Sequence, residues 1–286
     1  MMERTKVIGQ TFDRERALYN LTHGDVENCT FAGPADGESV LKEARDVTVK
    51  DSAFSLRYPL WHAKGFTMER CTMDELTRAP IWYAEGGTII DSTITGVKCL
   101  RECDHMKVIG STITSPEFGW RCRDLTIEDS TMDAVYYLFE SKNVEIKGLK
   151  MTGKYSFQYM ENLHITDSYL DTKDAFWHIQ NALVERCTLK GEYLGWYSDG
   201  LTLVDCTIIG TQPLCYCKNL KLINCKMIDC DLSFENSHVE ADIVGEVTSV
   251  KNPLTGYIKA DGYGEVILEG NVAEEGFEVR CEIITK

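Results

Sequence analysis

The chain has 286 residues, with 30 Lys+Arg against 45 Asp+Glu, so its net charge is 30 − 45 = −15. Hydrophobic residues make up 43%, charged residues 26%, and there are only 6 Pro, which is a globular composition and neither disordered nor fibrous. The acid excess argues against nucleic acid and anionic membrane as partners, because both are held by basic patches.

The N-terminus, MMERTKVIGQTFDRER, lacks the apolar run of a signal peptide, and no window approaches the roughly 20 apolar residues of a membrane span. A soluble, cytoplasmic protein is the expectation. Residues 13–19 read as a short helix N-capped by Asp13, lying over the first coil of the repeat that follows. GPADGES (33–39) reads as a loop.

From residue 25 the sequence repeats. Small residues fall at Cys29, Ser52, Cys71 and Ser92, then every 19 residues at Ser111, Ser130, Ser168, Cys187, Cys206 and Cys225, with Leu149 the one departure from Ser or Cys in this register. Each is preceded by an alternating stretch such as Leu201-Thr202-Leu203 and followed two residues later by an apolar residue such as Ile94 or Leu189, which is strand periodicity. Three short strands per 19 residues, with no helical period, predict one turn of a parallel β-helix. The expected architecture is all-β: a right-handed, single-stranded parallel β-helix of about 11–12 coils, one domain over 1–286. Residues 1–24 form its N-terminal cap, 25–244 its coils and 245–286 a closing segment. Turn residues near NPLTG, ADGYG and VILEGN predict capping hairpins there.

The repeat orders the 12 cysteines. Cys187, Cys206 and Cys225 share one inward row, and Cys103 and Cys122 another. Stacked Cβ atoms about 4.8 Å apart are too far for an unstrained disulfide, so these read as buried free thiols. Nothing has zinc-finger spacing, and no phosphate loop, GxSxG or calcium repeat is present, so neither metal nor cofactor is implied.

The third stretch of each coil carries the functional candidates. One row reads Trp61, Trp82, Arg101, Trp120, Phe139, Gln158, Trp177, Trp196, Cys215; the next reads His62, Tyr83, Glu102, Arg121, Glu140, Tyr159, His178, Tyr197, Tyr216. Strict alternation buries the tryptophans, whereas a local bend turns both rows outward; the bend is the expectation. Aromatics beside hydrogen-bonding groups suit a glycan, giving Trp61, Trp82, Trp120, Arg121, Tyr159, Trp177, Tyr193, Trp196, Tyr197 and Tyr216 as binding candidates. Glu102 and Glu140 lie two rungs apart with Arg121 between them, either as a glycosidase-like carboxylate pair or as a surface ion-pair ladder. Adjacent rungs bring Asp171, Lys173, Asp174, His178, Glu192 and Tyr193 together. His178, Asp174 and Glu192 complete the catalytic candidates, with His178 as proton shuttle.

The coils resemble the right-handed parallel β-helix of the pectin-lyase-like superfamily. FDRERALY (12–19), GPADGES, KGEYLGWYS (190–198) and GTQPLCYC (210–217) resemble an uncharacterised bacterial family known only as a domain of unknown function. The resemblance spans nearly the whole chain and implies the fold, but no reaction. The aspartates of polygalacturonases and the calcium-binding set of pectate lyases are missing here. A glycan-interacting β-helix, with or without carbohydrate chemistry, is the first expectation; a non-catalytic scaffold is the second. The partner expected is an oligosaccharide, and the oligomeric state is open.

Overall fold

A computed structural model describes residues 3–33, 38–268 and 280–286. The fold is an all-β parallel β-helix of about 14 turns of roughly 19 residues. It divides into two compact units, Met1–Lys150 and Met151–Lys286, described separately below.

Each turn has three sides. The first is the strand before the small residue, such as Lys64–Glu69, and the second the short strand after it, such as Thr93–Thr95. A single left-handed residue turns the corner between them, for example Asp51, Arg70 or Asp91 in the first unit and Asp167, Arg186 or Asp205 in the second. The small residue then secures that corner. Ser92 Oγ donates to Ile90 O at 2.8 Å, and Ser111 Oγ accepts the Ser92 N–H at 3.1 Å. Cysteine does the same work: Cys187 Sγ donates to Glu185 O at 3.1 Å and accepts the Ser168 N–H at 3.4 Å. A hydroxyl or thiol fits because it gives and takes one bond in the space of a methyl group. The thiols are therefore hydrogen-bonding corner pieces as well as small apolar fillers. All cysteines of the chain are unbridged, and burial pushes Cys71 and Cys217 up to about 11.

The third side is a strand only at Cys99–Arg101, Glu117–Trp120 and Tyr136–Tyr137, which form a small parallel sheet of their own; elsewhere among the described residues up to Ser237 it is a ribbon without strands. Left-handed residues occur at every second position, as at Tyr58, Leu60 and His62 (φ 61°, 59° and 54°) or Asp174, Phe176 and His178 (55°, 63° and 55°). Successive N–H groups then point to opposite neighbouring coils: Leu60 N to Val40 O at 2.9 Å, His62 N to Trp82 O at 2.9 Å. Left-handed Leu and Phe are strained by roughly 1–2 kcal/mol each, and the two flanking coils hold them there. This is the bend. Its consequence is the burial sequence: Leu60 buried, Trp61 intermediate, His62 exposed, Ala63 buried. Core ladders fill the interior, with Phe12, Phe31 and Phe54 stacked in the first unit and Phe157 on Phe176 in the second.

Two expected caps are corrected. No helix occupies 13–19. Arg16, Leu18 and Asn20 are left-handed (φ 52°, 54° and 54°), Arg16 N donates to Glu38 O and Asn20 N to Lys42 O, so the segment is the third side of the first turn. Nor do the turns near NPLTG and ADGYG make hairpins. His238–Ile243 pairs in parallel with Thr255–Ala260, Glu246–Lys251 with Gly262–Ile267, and Thr255–Ala260 with Arg280–Thr285. The first two of these pairings join residues 17 and 16 apart and the last 25 apart, and both supposed caps are coils, which is why the count exceeds 11–12. Residues 34–37 of GPADGES and 269–271 of VILEGN lie outside the described residues. No helix among the described residues is long and apolar enough to cross a membrane.

Candidate functional site

The third side carries two aromatic rows, and their geometry differs. In the inner row the indoles are half-buried and stacked: Trp61 on Trp82 at 5.2 Å, Trp177 on Trp196 at 5.5 Å. Each of these four turns its N–H back to a carbonyl of the following coil, as Trp82 Nε1 does to Lys98 O at 2.6 Å and Trp196 Nε1 to Gln212 O at 2.7 Å. Gln158 takes the tryptophan position and donates the equivalent bond to Asp174 O at 2.8 Å. Arg101 takes it in the first unit, its guanidinium lying 4.6 Å from the Trp82 ring and 4.8 Å from Trp120. Trp120 Nε1 alone of the five is buried with no hydrogen-bond partner. The row is therefore neither core nor open platform. Its ring faces meet one another and its polar edges point back into the coil.

The outer row is exposed. In the second unit Tyr159, His178, Tyr197 and Tyr216 stack at successive turns, with centroids 4.8, 5.0 and 4.9 Å apart. His178 is held between two tyrosine rings, and among the described residues no hydrogen bond or ion pair joins it to Asp174 or Glu192. Those two sit deeper along the coil. Glu192 is bound by Lys173, whose ammonium also lies 5.1 Å over the Tyr193 ring, while Asp171 is paired separately with Lys190 at 2.8 Å. Asp174 is 6% exposed, and among the described residues its carboxyl accepts no hydrogen bond. Burial raises its pKa, partly offset by the charges of Lys173 and Lys154 and reinforced by Glu192.

In the first unit His62 stacks on Tyr83 at 4.9 Å, and there the aromatic run stops. The next turns carry Glu102, Arg121 and Glu140. These three, with Tyr83, Asp104, Arg123 and Lys142, line an open, shallow depression of about 460 Å³. Arg121 Nε donates to Glu140 Oε2 at 2.6 Å, and Glu140 holds the guanidinium more firmly protonated. Arg123 binds Asp104 at 2.7 Å on the flank. The structure thus unites Glu102, Arg121 and Glu140 on consecutive turns and joins Glu192 and Tyr193 through Lys173 in the other unit, while Asp174 stands apart from both contacts. Sequence reading passed over Asp104, Arg123 and Lys142, although the row Lys64, Glu85, Asp104, Arg123, Lys142 recurs at the same spacing. Asp104, His105 and Asp124 bring three donor atoms within 4.8 Å of one another on this flank, the one metal-like grouping among the described residues.

The fold and this open, ladder-lined side define the class: a parallel β-helix protein. The chain belongs to the family described as "Protein of unknown function (DUF3737)", whose model matches residues 5–284. No curated protein matches it. Among solved structures it is similar to PfbA, a surface adhesin of Streptococcus pneumoniae (8% identity, 95% of this chain and 89% of that one, TM-score 0.44). It is also similar to the catalytic domain of a GH87 alpha-1,3-glucanase in complex with nigerose (9%, 98% and 63%, TM-score 0.32) and to the periplasmic alginate epimerase AlgG (9%, 93% and 77%, TM-score 0.26).

Proposed function

We propose that the protein binds an oligosaccharide in the depression of the first unit, without breaking a bond in it. One observation carries this: the outer aromatic row stops at Tyr83 and gives way to Glu102, Arg121 and Glu140 inside a concave surface. Tyr83 has one face on His62 and edge contacts to Trp61 and Trp82, and its second face, on the side of Glu102, is offered to the apolar face of a sugar ring. Carboxylates and guanidinium alternating about 4.8 Å apart match neighbouring sugar hydroxyls, which both donate and accept. A shallow open site suits an extended chain of sugars. Acid–base cleavage asks for a carboxyl free to give up a proton, and Glu140 is engaged with Arg121.

A glycan array followed by calorimetry on the full chain tests this. Saturable binding of an uncharged oligosaccharide is expected, weakened roughly tenfold or more (about 1.4 kcal/mol) by Tyr83→Ala and by Arg121→Ala. Absence of binding to any glycan rules it out, and turnover abolished in Glu140→Gln would restore the enzymatic alternative. The stacked second-unit ladder favours a second reading, a non-catalytic scaffold, because its ring faces are already used on one another.

A further inference from the structure

We infer that a second depression, in the unit Met151–Lys286 and unrelated to the oligosaccharide site, binds the oxyanion of a small ligand, a phosphate or a carboxylate. It encloses about 440 Å³ and is lined by Lys218, Lys221, His238, Glu240, Thr255 and Gly256 among others. That volume lies within the usual range for small-molecule sites.

The dent has a covalent cause. The preceding turns of this unit pair residues 19 apart, as Thr202 with Lys221 and Leu220 with Val239; His238 and Thr255 are 17 apart. The shortened turn brings Gly256 (φ +96°) so close to the preceding coil that a Cβ there would lie 1.9 Å from Val239 O. No side chain can stand at that position, and the surface falls away beside the long side chains of the two previous turns.

Charge then favours an anion. The protein carries −15 overall, yet this hollow gathers two ammonium groups against one carboxylate. Lys218 is exposed and has no carboxylate partner among the described residues. Lys221 is held by Glu240 only at 3.4 Å, a loose surface pair that an incoming oxyanion can replace at little cost. Beside them, His238 Nδ1 and Thr255 Oγ1 lie 2.6 Å apart, a hydrogen-bonded pair at the rim. The nearby Asp199 carboxylate is taken up by the Asn219 amide at 2.7 Å. Lysine binds phosphate or carboxylate as a point charge without needing a planar partner, so flexible Lys218 and Lys221 suit an oxyanion of either geometry.

Calorimetric titration of the full chain with inorganic phosphate, a hexose phosphate and a hexuronate tests the inference. At least one is expected to bind saturably, and to bind more weakly as salt rises. Lys218→Gln with Lys221→Gln should weaken that binding at least tenfold while leaving the circular dichroism unchanged, since both side chains are exposed. Binding of the phosphates alone identifies a phosphate site, and binding of the hexuronate alone a carboxylate site; either supports the inference. No saturable binding of any of the three, or binding unchanged in the double variant, overturns it. Arg121→Ala leaves this binding intact whatever becomes of the oligosaccharide site, so the two proposals fail separately.

Discussion

The two units use the same row positions differently. In Met151–Lys286 the outer row is aromatic at four successive turns, and both inner rings, His178 and Tyr197, are covered on both faces. In Met1–Lys150 the row starts in the same way with His62 and Tyr83, then turns to Glu102, Arg121 and Glu140, and the surface opens into a depression. Continuous repetition saturates a ladder with contacts to its own kind. A break in the repeat leaves groups whose natural partner is something else. The inner row shows how a break can also be repaired: Arg101 stacks between Trp82 and Trp120, and Gln158 reproduces the tryptophan hydrogen bond.

The largest expected effects come from the inner row, where both units are built alike. Trp82→Ala and Trp196→Ala each remove a half-buried indole, its stacking and its bond to a carbonyl, and should each cost roughly 3 kcal/mol in urea unfolding. Equal losses would show that both stacks are structural; a loss under about 1 kcal/mol in either unit would mean that its row stabilises nothing. Arg101→Ala should cost about 1–2 kcal/mol, from two cation–π contacts and the bond to Glu117 Oε2 at 3.1 Å. Arg101→Met, which keeps the packing and removes the charge, should recover part of that loss. Full recovery would mean that the guanidinium acts only as a filler.

The strands, the coil period and the inward rows are all legible in the sequence because they repeat every 19 residues and alternate in polarity. The bend was legible only as a conflict, since Leu60, Trp61 and His62 could not all obey one alternation. Its resolution requires left-handed Leu, Ile and Phe, which no local preference favours and only stacked neighbours impose. The same ribbon deceived the reading of 13–19, where Ala17 and Leu18 look helical in isolation but belong to a first turn anchored by residues 38 and 42. Of the site, the row Glu102, Arg121, Glu140 could be read from spacing alone. The recess of Asp174 could not, because burial is a property of the coils around it.

Asp174 gives a smaller effect that separates the units by pH. Burial raises its pKa in the folded state, so the folded chain binds the proton more tightly than the unfolded one. The associated stability is fully present below the unfolded carboxylate value of about 3.9 and is lost as pH rises through the folded value. Asp174→Asn removes the ionisable group and keeps a residue that accepts a left-handed backbone (φ 55°). The variant should therefore melt higher than the parent near pH 7, with the gap closing near pH 3. Asp171→Asn, at an exposed carboxylate already paired with Lys190, should show no such gain. A parent that outlasts Asp174→Asn at neutral pH would mean that Lys154 and Lys173 outweigh the burial.

The smallest effects lie at the corner, where the first unit favours serine and the second cysteine. If hydroxyl and thiol do one job, Ser111→Cys and Cys187→Ser should each change stability by less than about 1 kcal/mol, because the acceptor for the N–H of Ser92 or Ser168 is kept. Ser111→Ala and Cys187→Ala remove that acceptor inside a buried corner and should each cost about 1–2 kcal/mol. A tolerated Cys187→Ala beside a costly Ser111→Ala would show that the thiols of the second unit serve as apolar filler after all. The two corners would then differ in kind, as the two outer rows do.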